Sequence, residues 1–114
     1  MKRLSLEVQT ISEIVKLSDF QKSKFFTFFE IVDSNNISLA GKLAAKKAFL
    51  KCLECDKSGY LPYDKIEVKR PVGKRPSIEV SDSLLLEKLS NQKISLSISH
   101  IKDIAIAVCI VYNK

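Results

Sequence analysis

Glycine and proline are scarce in this sequence, with three of each in 114 residues. Together with the lack of any internal repeat or low-complexity segment, this excludes a collagen-like chain or a flexible linker. The longest uninterrupted apolar run, residues 104–112, falls far short of the ~20 residues of a membrane-spanning helix. No apolar block follows the charges of the N-terminus, so no signal peptide is predicted. We therefore expect one cytoplasmic domain over residues 1–114, with no membrane partner.

Metal-binding and redox residues are also few, because the chain has one histidine, His100, and three cysteines. Three thiols cannot all form disulfide bonds within one chain. Cys52 and Cys55 form a single C-x-x-C without a second pair, which is a weak zinc or redox pattern. Reduced thiols packed at a helix end are the favoured interpretation.

Positive charge is in excess, with a formal net charge of +6. Such a surface suits an anionic partner: nucleic acid, a membrane surface, a phosphorylated cofactor or an acidic protein. The alternative is that the basic surface has no anionic partner and only keeps the protein soluble. Nucleic acid is the least favoured partner, because only the basic run at 69–75 suggests it and no recognised nucleic-acid motif is present.

The first third of the chain reads as a strand followed by short helices. Residues 3–9 alternate apolar and polar side chains, which favours a strand. Ser18 with Gln21, and Thr27 with Glu30, have the spacing of capping boxes and predict helix starts. Four phenylalanines at 25, 26, 28 and 29 are too many for one helix face, so we expect some to contact a neighbouring segment or subunit.

A long helix is predicted after the turn-rich residues 33–36, with Ser38 as its cap. Its apolar stripe comprises Leu39, Leu43, Leu50 and Leu53. Lys42 lies four residues before Lys46, and Lys47 four before Lys51, so each pair stacks on one side of the helix. Stacked like charges repel unless an anion lies between them, so either a solvated face or an anion site is indicated.

The second half reads as mostly β structure with one short helix. The last strand, from residue 104, has apolar residues on both faces. Such a strand lies in the centre of a sheet, covered on one face by a helix and on the other by a helix or a second subunit. The fold class is α+β: a long helix packed on an antiparallel sheet.

Two segments resemble the holo-acyl-carrier-protein synthases, a branch of the 4′-phosphopantetheinyl transferase family. "LAGKLAAKKAFLKCL" is similar to their signature helix, close to "AGRFAAKEAFAKAL". "ISLSISHIKDIAIAVCIV" is similar to their C-terminal hairpin, usually "VSLSHTKDYAIAFVI". "KFFTFFE" and "IEVKRPVGKRPSIEV" match two weaker family motifs in the same order.

The resemblance implies a 4′-phosphopantetheinyl transferase-like fold and activity. The enzyme would move the 4′-phosphopantetheine arm of coenzyme A to a serine of an acidic acyl carrier protein. The family uses Mg²⁺ on the coenzyme pyrophosphate and binds its substrates at trimer interfaces, so a homo-oligomer is expected.

The resemblance also assigns site residues. His100, Lys51 and Lys46 would be catalytic. The coenzyme would contact Lys42, Lys46, Lys47, Gly73, Pro76, Ser99 and His100. The imidazole at the bend between two buried strands would then contact a phosphate or relay a proton.

Two departures fall on the family's metal ligands. Its aspartate and glutamate correspond here to Thr10 and Lys47, and a hard divalent cation prefers anionic oxygen ligands. Three explanations stay open: the Lys47 ammonium replaces the metal, Glu7 or Glu13 supplies a displaced carboxylate, or catalysis is lost. The leading hypothesis is a divergent transferase, and the alternative is an inactive module that binds coenzyme A or a carrier protein.

Overall fold

The computed structural model describes residues 2–114. In chain order its elements are β1 (Lys2–Thr10), α1 (Ile11–Val15), α2 (Asp19–Phe25), α3 (Phe28–Asp33), α4 (Asn36–Cys52), α5 (Cys55–Ser58), a 3-10 turn (Tyr63–Lys65), β2 (Ile66–Lys69), β3 (Ser77–Val80), α6 (Ser83–Lys88), β4 (Gln92–Ile101) and β5 (Ile104–Asn113).

The three long strands form an antiparallel sheet in the order β1-β5-β4, and β2 and β3 form a separate hairpin. The long helix α4 packs against this sheet, mainly on β5 and β1. Its apolar stripe is buried, as the sequence predicts. The prediction that the last strand is central is also confirmed.

The apolar residues of β1 lie on the face of the sheet that points away from α4. Leu4, Leu6 and Val8 are 66%, 54% and 46% exposed. The polar residues Ser5 and Gln9 are buried on the opposite face, beneath the helix. This strand is therefore inverted relative to the usual apolar-inward pattern, and it leaves an apolar surface uncovered.

Side chains cap the helices at the predicted places, with one correction. Both capping boxes form: Ser18 accepts from the Gln21 N–H and Thr27 from the Glu30 N–H. The prediction that Ser38 caps the long helix is wrong. Asn35 does so by accepting the backbone N–H of Ser38, which moves the helix start three residues earlier.

The phenylalanine cluster divides between the core and the surface. Phe26 is buried, and the ring of Phe25 packs on Tyr63 with centroids 5.4 Å apart. Phe28 and Phe29 remain exposed and pack edge to face on each other. Only half of the cluster is therefore available to a partner.

The three cysteines are buried, and two of them lie side by side. The Cys52 Sγ lies 3.4 Å from the carbonyl oxygen of Cys109. The neighbouring Cys109 thiol lowers the pKa of Cys52, whereas the Cys52 thiol and burial raise the pKa of Cys109. Among residues 2–114, no helix is both long and apolar enough to cross a bilayer.

Candidate functional site

The four lysines of α4 point in two directions. Lys42 and Lys46 reach towards α3, where they meet Ser34 and Glu30. Lys47 and Lys51 reach over β1 and its polar side chains. The two stacked lysine pairs predicted from the sequence are present, but each pair contacts a different part of the protein.

Lys46 is fully buried and saturated with protein partners. Its Nζ donates to Glu30 Oε1 at 2.6 Å, to the Phe25 carbonyl oxygen at 2.7 Å and to the Tyr63 carbonyl oxygen at 2.9 Å. An ammonium has three N–H donors, so none is left for a ligand. Burial lowers the pKa of Lys46, and the Glu30 charge opposes that shift. In this structure Lys46 is therefore engaged within the fold, and the coenzyme contact and catalytic role expected of it stay predictions.

Lys42 is also buried but borders a groove. Its Nζ donates to Ser34 Oγ at 2.7 Å, and burial lowers its pKa while Glu30 acts in the opposite direction. The groove encloses about 540 Å³ between α3, the start of α4 and the end of β2. Lys69 and Arg70 line it as well, beside the carboxylates of Asp33 and Glu67. Cations and anions are mixed here, so the groove is not uniformly suited to phosphate.

Lys47 is half-buried and bonded to a residue that the sequence reasoning overlooked. Its Nζ donates to Gln9 Oε1 at 2.6 Å. Two residues earlier on the same face of β1, Glu7 forms an ion pair with Lys51 at 3.2 Å. The alternation of β1 is the signal that would have identified Gln9, because residues 7 and 9 share the face beneath α4.

Thr10, aligned with the family's metal aspartate, has a local structural role. Its hydroxyl accepts the Glu13 N–H at the start of α1 and donates to Glu13 Oε1 at 2.6 Å. Thr10 therefore caps a helix, and the side chain facing Lys47 is that of Gln9 instead.

His100 lies near the end of β4 and shares a face with Gln9. Both residues are register partners of the same central residue, Ala105. Adjacent strands lie ~4.8 Å apart, so the two backbones are separated by about 10 Å across the sheet. The fold thus brings the imidazole and the Gln9–Lys47 pair to one end of the helix-covered face. Ser99 is exposed and, as the residue immediately before His100 on β4, points to the opposite face.

Gly73 and Pro76 lie in the connection between β2 and β3. Gly73 has a φ of +74°, which a side chain would strain, and the Lys74 N–H donates to the Pro71 carbonyl oxygen at 3.2 Å. The start of this connection comes close to α4, because a Cβ added to Gly41 would lie 3.7 Å from Arg70 Nη1.

The Mg²⁺ that the family resemblance implies does not fit these residues. Its two expected carboxylates are replaced by Lys47, which is cationic, and by Thr10, which is neutral; Gln9, the side chain that Lys47 contacts, is neutral as well. Within residues 2–114, no group of three or more His, Cys, Asp or Glu side chains is arranged to hold a metal ion. A hard cation prefers anionic oxygen ligands, and an ammonium in their place repels it.

Comparisons with known proteins agree on one family. No family model matches the sequence. The holo-[acyl-carrier-protein] synthase of Clostridium kluyveri is 34% identical over 92% of this chain and 83% of its own length. That of Campylobacter fetus is 30% identical over 96% of this chain and 99% of its own length.

Solved structures agree with the sequence relatives. The Helicobacter pylori holo-[acyl-carrier-protein] synthase in complex with coenzyme A has a TM-score of 0.77 and 29% identity, over 96% of this chain and 99% of that one. A Chronobacterium ammoniagenes synthase–coenzyme A complex has a TM-score of 0.80 at 21% identity, over 100% and 98% of the chains, which supports the fold alone. With relatives at 34% and 30% identity over more than nine-tenths of its length, the chain belongs to the holo-[acyl-carrier-protein] synthase family.

Proposed function

We propose that the chain transfers 4′-phosphopantetheine from coenzyme A to a serine of an acyl carrier protein, in the cytoplasm. The observation that carries this proposal is the match, over nearly the whole chain, to relatives named for that reaction. The similarity to a synthase solved with coenzyme A supports the same substrate.

The proposed reaction displaces one phosphate oxygen by another. The serine oxygen bonds to the phosphorus that carries the pantetheine, and the bond from that phosphorus to the bridging oxygen breaks. Adenosine 3′,5′-bisphosphate leaves with the electron pair. Negative charge grows on the bridging oxygen, so a fixed cation stabilises the transition state.

Lys47, Lys51 and His100 are the residues to which we assign this chemistry. The Lys47 ammonium lies over β1 and offers positive charge to the diphosphate, and Lys51 lies beside it as a further N–H donor, paired with Glu7. The exposed imidazole lies at the same end of the sheet as Lys47 and is free to accept the serine proton. Gly73, Pro76 and Ser99 stay proposed coenzyme contacts, which a neighbouring subunit would have to bring to the lysines.

We also propose that the active form is a homo-oligomer, a trimer by family resemblance. Three strands expose apolar side chains on the face opposite α4, among them Leu4, Leu6, Val8 and Ile104. A patch of this kind marks an association surface. Because the apolar patch runs without a break across β1 and β5, we expect the same face of another copy of the chain to pack against it.

The proposed protein partner is an acidic carrier. The chain has a net charge of +6, which attracts an acidic surface and speeds its encounter. An inactive module that binds coenzyme A or the carrier is the second candidate, favoured by the loss of both metal carboxylates.

One assay separates the two candidates. Purified protein is incubated with coenzyme A and apo carrier proteins from the same cell, with MgCl₂ or with EDTA, and the carrier is weighed by mass spectrometry. A gain of one phosphopantetheine arm supports transfer, and a carrier whose acceptor serine is changed to alanine is the control. Unchanged mass in both buffers, with coenzyme A bound in calorimetry, favours the inactive module.

A further inference from the structure

The position at which the family resemblance places a metal carboxylate holds a cation in this protein. The Lys47 ammonium lies 2.6 Å from Gln9 Oε1, which fixes its place above β1. Next to it, Lys51 and Glu7 form an ion pair at 3.2 Å and cancel each other's charge. This small cluster therefore carries one net positive charge before any ligand binds.

The two carboxylates nearest in sequence are already engaged. Glu7 pairs with Lys51, and Glu13 accepts the Thr10 hydroxyl at 2.6 Å while its N–H donates to Thr10. Neither is free to take over the role of a displaced metal ligand. A divalent cation entering here would meet an ammonium and a neutral amide, a combination that disfavours it.

We propose that the Lys47 ammonium, positioned by Gln9, serves as the fixed cation at the coenzyme diphosphate, so that coenzyme binding and transfer need no divalent metal. This inference rests on the proposed function. It assigns a positioning role to Gln9 and a coenzyme-binding role to Lys47.

The geometry suits this role in two respects. An ammonium has three N–H donors; Gln9 accepts one, and a half-buried side chain is able to present the others to phosphate oxygens. The amide also orients the long lysine side chain in advance, which reduces the entropy lost when a ligand binds. A single positive charge replaces a double one, so we expect metal-independent but slow transfer.

The first experiment uses the unaltered protein. Coenzyme A affinity is measured by calorimetry, and carrier modification by mass spectrometry, in EDTA and in excess MgCl₂. We expect the dissociation constant and the rate to differ less than about twofold between buffers, because a covalently fixed cation is not removed by a chelator. Binding or transfer that EDTA abolishes and MgCl₂ restores overturns the inference while the proposed transferase stands.

Substitutions of Lys47 distinguish the effect of losing its charge from the effect of disturbing the fold. Lys47→Met should weaken coenzyme A binding about 10- to 100-fold in both buffers, the scale of a lost charge-assisted hydrogen bond. Lys47→Arg keeps a cation and should retain most of the affinity. The matched control is Lys88→Met, an exposed lysine on α6, which should bind coenzyme A normally. Equal affinity of Lys47→Met and the unaltered protein overturns the inference.

A double variant tests the exchange of ammonium for metal directly. Because the two side chains touch, Gln9→Asp with Lys47→Glu places two carboxylates together. In this variant, coenzyme A binding should be weak in EDTA and recover on addition of MgCl₂. No response to MgCl₂ in a variant whose circular dichroism is native overturns the claim that Lys47 occupies the metal's place. Absence of coenzyme A binding in every protein and buffer overturns the proposed function itself.

Discussion

The ammonium of Lys46 and the carboxylate of Glu30 form a buried ion pair at 2.6 Å. Glu30 also accepts the Thr27 N–H at 2.9 Å and, through its second oxygen, the Val68 N–H at 2.8 Å. One carboxylate thus connects α3, α4 and β2. Three hydrogen-bond donors share its charge, which offsets the cost of burying it.

We expect Glu30→Gln to destabilise the protein by about 3–5 kcal/mol, because it leaves the Lys46 ammonium buried without a counter-charge. Urea denaturation measures this loss. Glu79→Gln is the control, since Glu79 pairs with Lys69 at the surface and should cost less than about 1 kcal/mol. A loss for Glu30→Gln no larger than that of the control would contradict this account of the pair.

Gly41 of α4 faces Ile98 of β4. A Cβ at this position would be 2.8 Å from Ile98 Cγ2, and a β-branched side chain on a strand has little freedom to move away. Gly41→Ala should therefore cost about 1–3 kcal/mol through overpacking, despite the better helix propensity of alanine.

The same substitution in an Ile98→Ala background is the matched test. With the opposing methyl removed, Gly41→Ala should become neutral or stabilise the helix by up to about 1 kcal/mol. A cost unchanged between the two backgrounds would show that Ile98 is not the obstacle.

The uncovered apolar face should control association. Leu6→Lys places a charge in the middle of that face without touching the helix side of β1. We expect the variant to remain folded but to shift towards monomer in light scattering, whereas Lys88→Ala, an exposed residue of α6, should leave the mass unchanged. A monomeric parent protein at micromolar concentration would refute the proposed oligomer.

The Tyr60 hydroxyl donates to Asp82 Oδ2, and Asp82 Oδ1 accepts the Leu85 N–H at the start of α6. The Tyr60 hydrogen bond is the main reason that the pKa of Asp82 lies below its ordinary value of 3.8. Between the lowered pKa and 3.8, the unfolded chain binds more protons than the folded one. Stability from this group is therefore complete above that window and is lost as the pH falls through it.

We expect Tyr60→Phe to flatten the acid limb of stability against pH in urea denaturation between about pH 2 and 6, because the largest cause of the shift is gone. Tyr112→Phe, on β5, should keep the slope of the unaltered protein. An unchanged acid limb in Tyr60→Phe would refute the assignment to Asp82.

Local sequence by itself determined most of the elements of this fold. The two capping boxes, the buried stripe of α4 and the doubly apolar last strand follow from side chains within a few residues of one another. Helix caps and periodicity depend on short-range contacts. The one misplaced cap, Ser38 instead of Asn35, arose because both residues are good caps three positions apart.

Only the tertiary structure decided which face of β1 is buried and which lysine keeps N–H donors available for a ligand. Lys46 and Lys47 are adjacent and chemically identical, yet one is enclosed by α3 and the other reaches Gln9, 38 positions away. Alternation along a strand shows which residues share a face but not which face the helix covers. Distant packing settles that, because it sets the solvation and the partners of every charge.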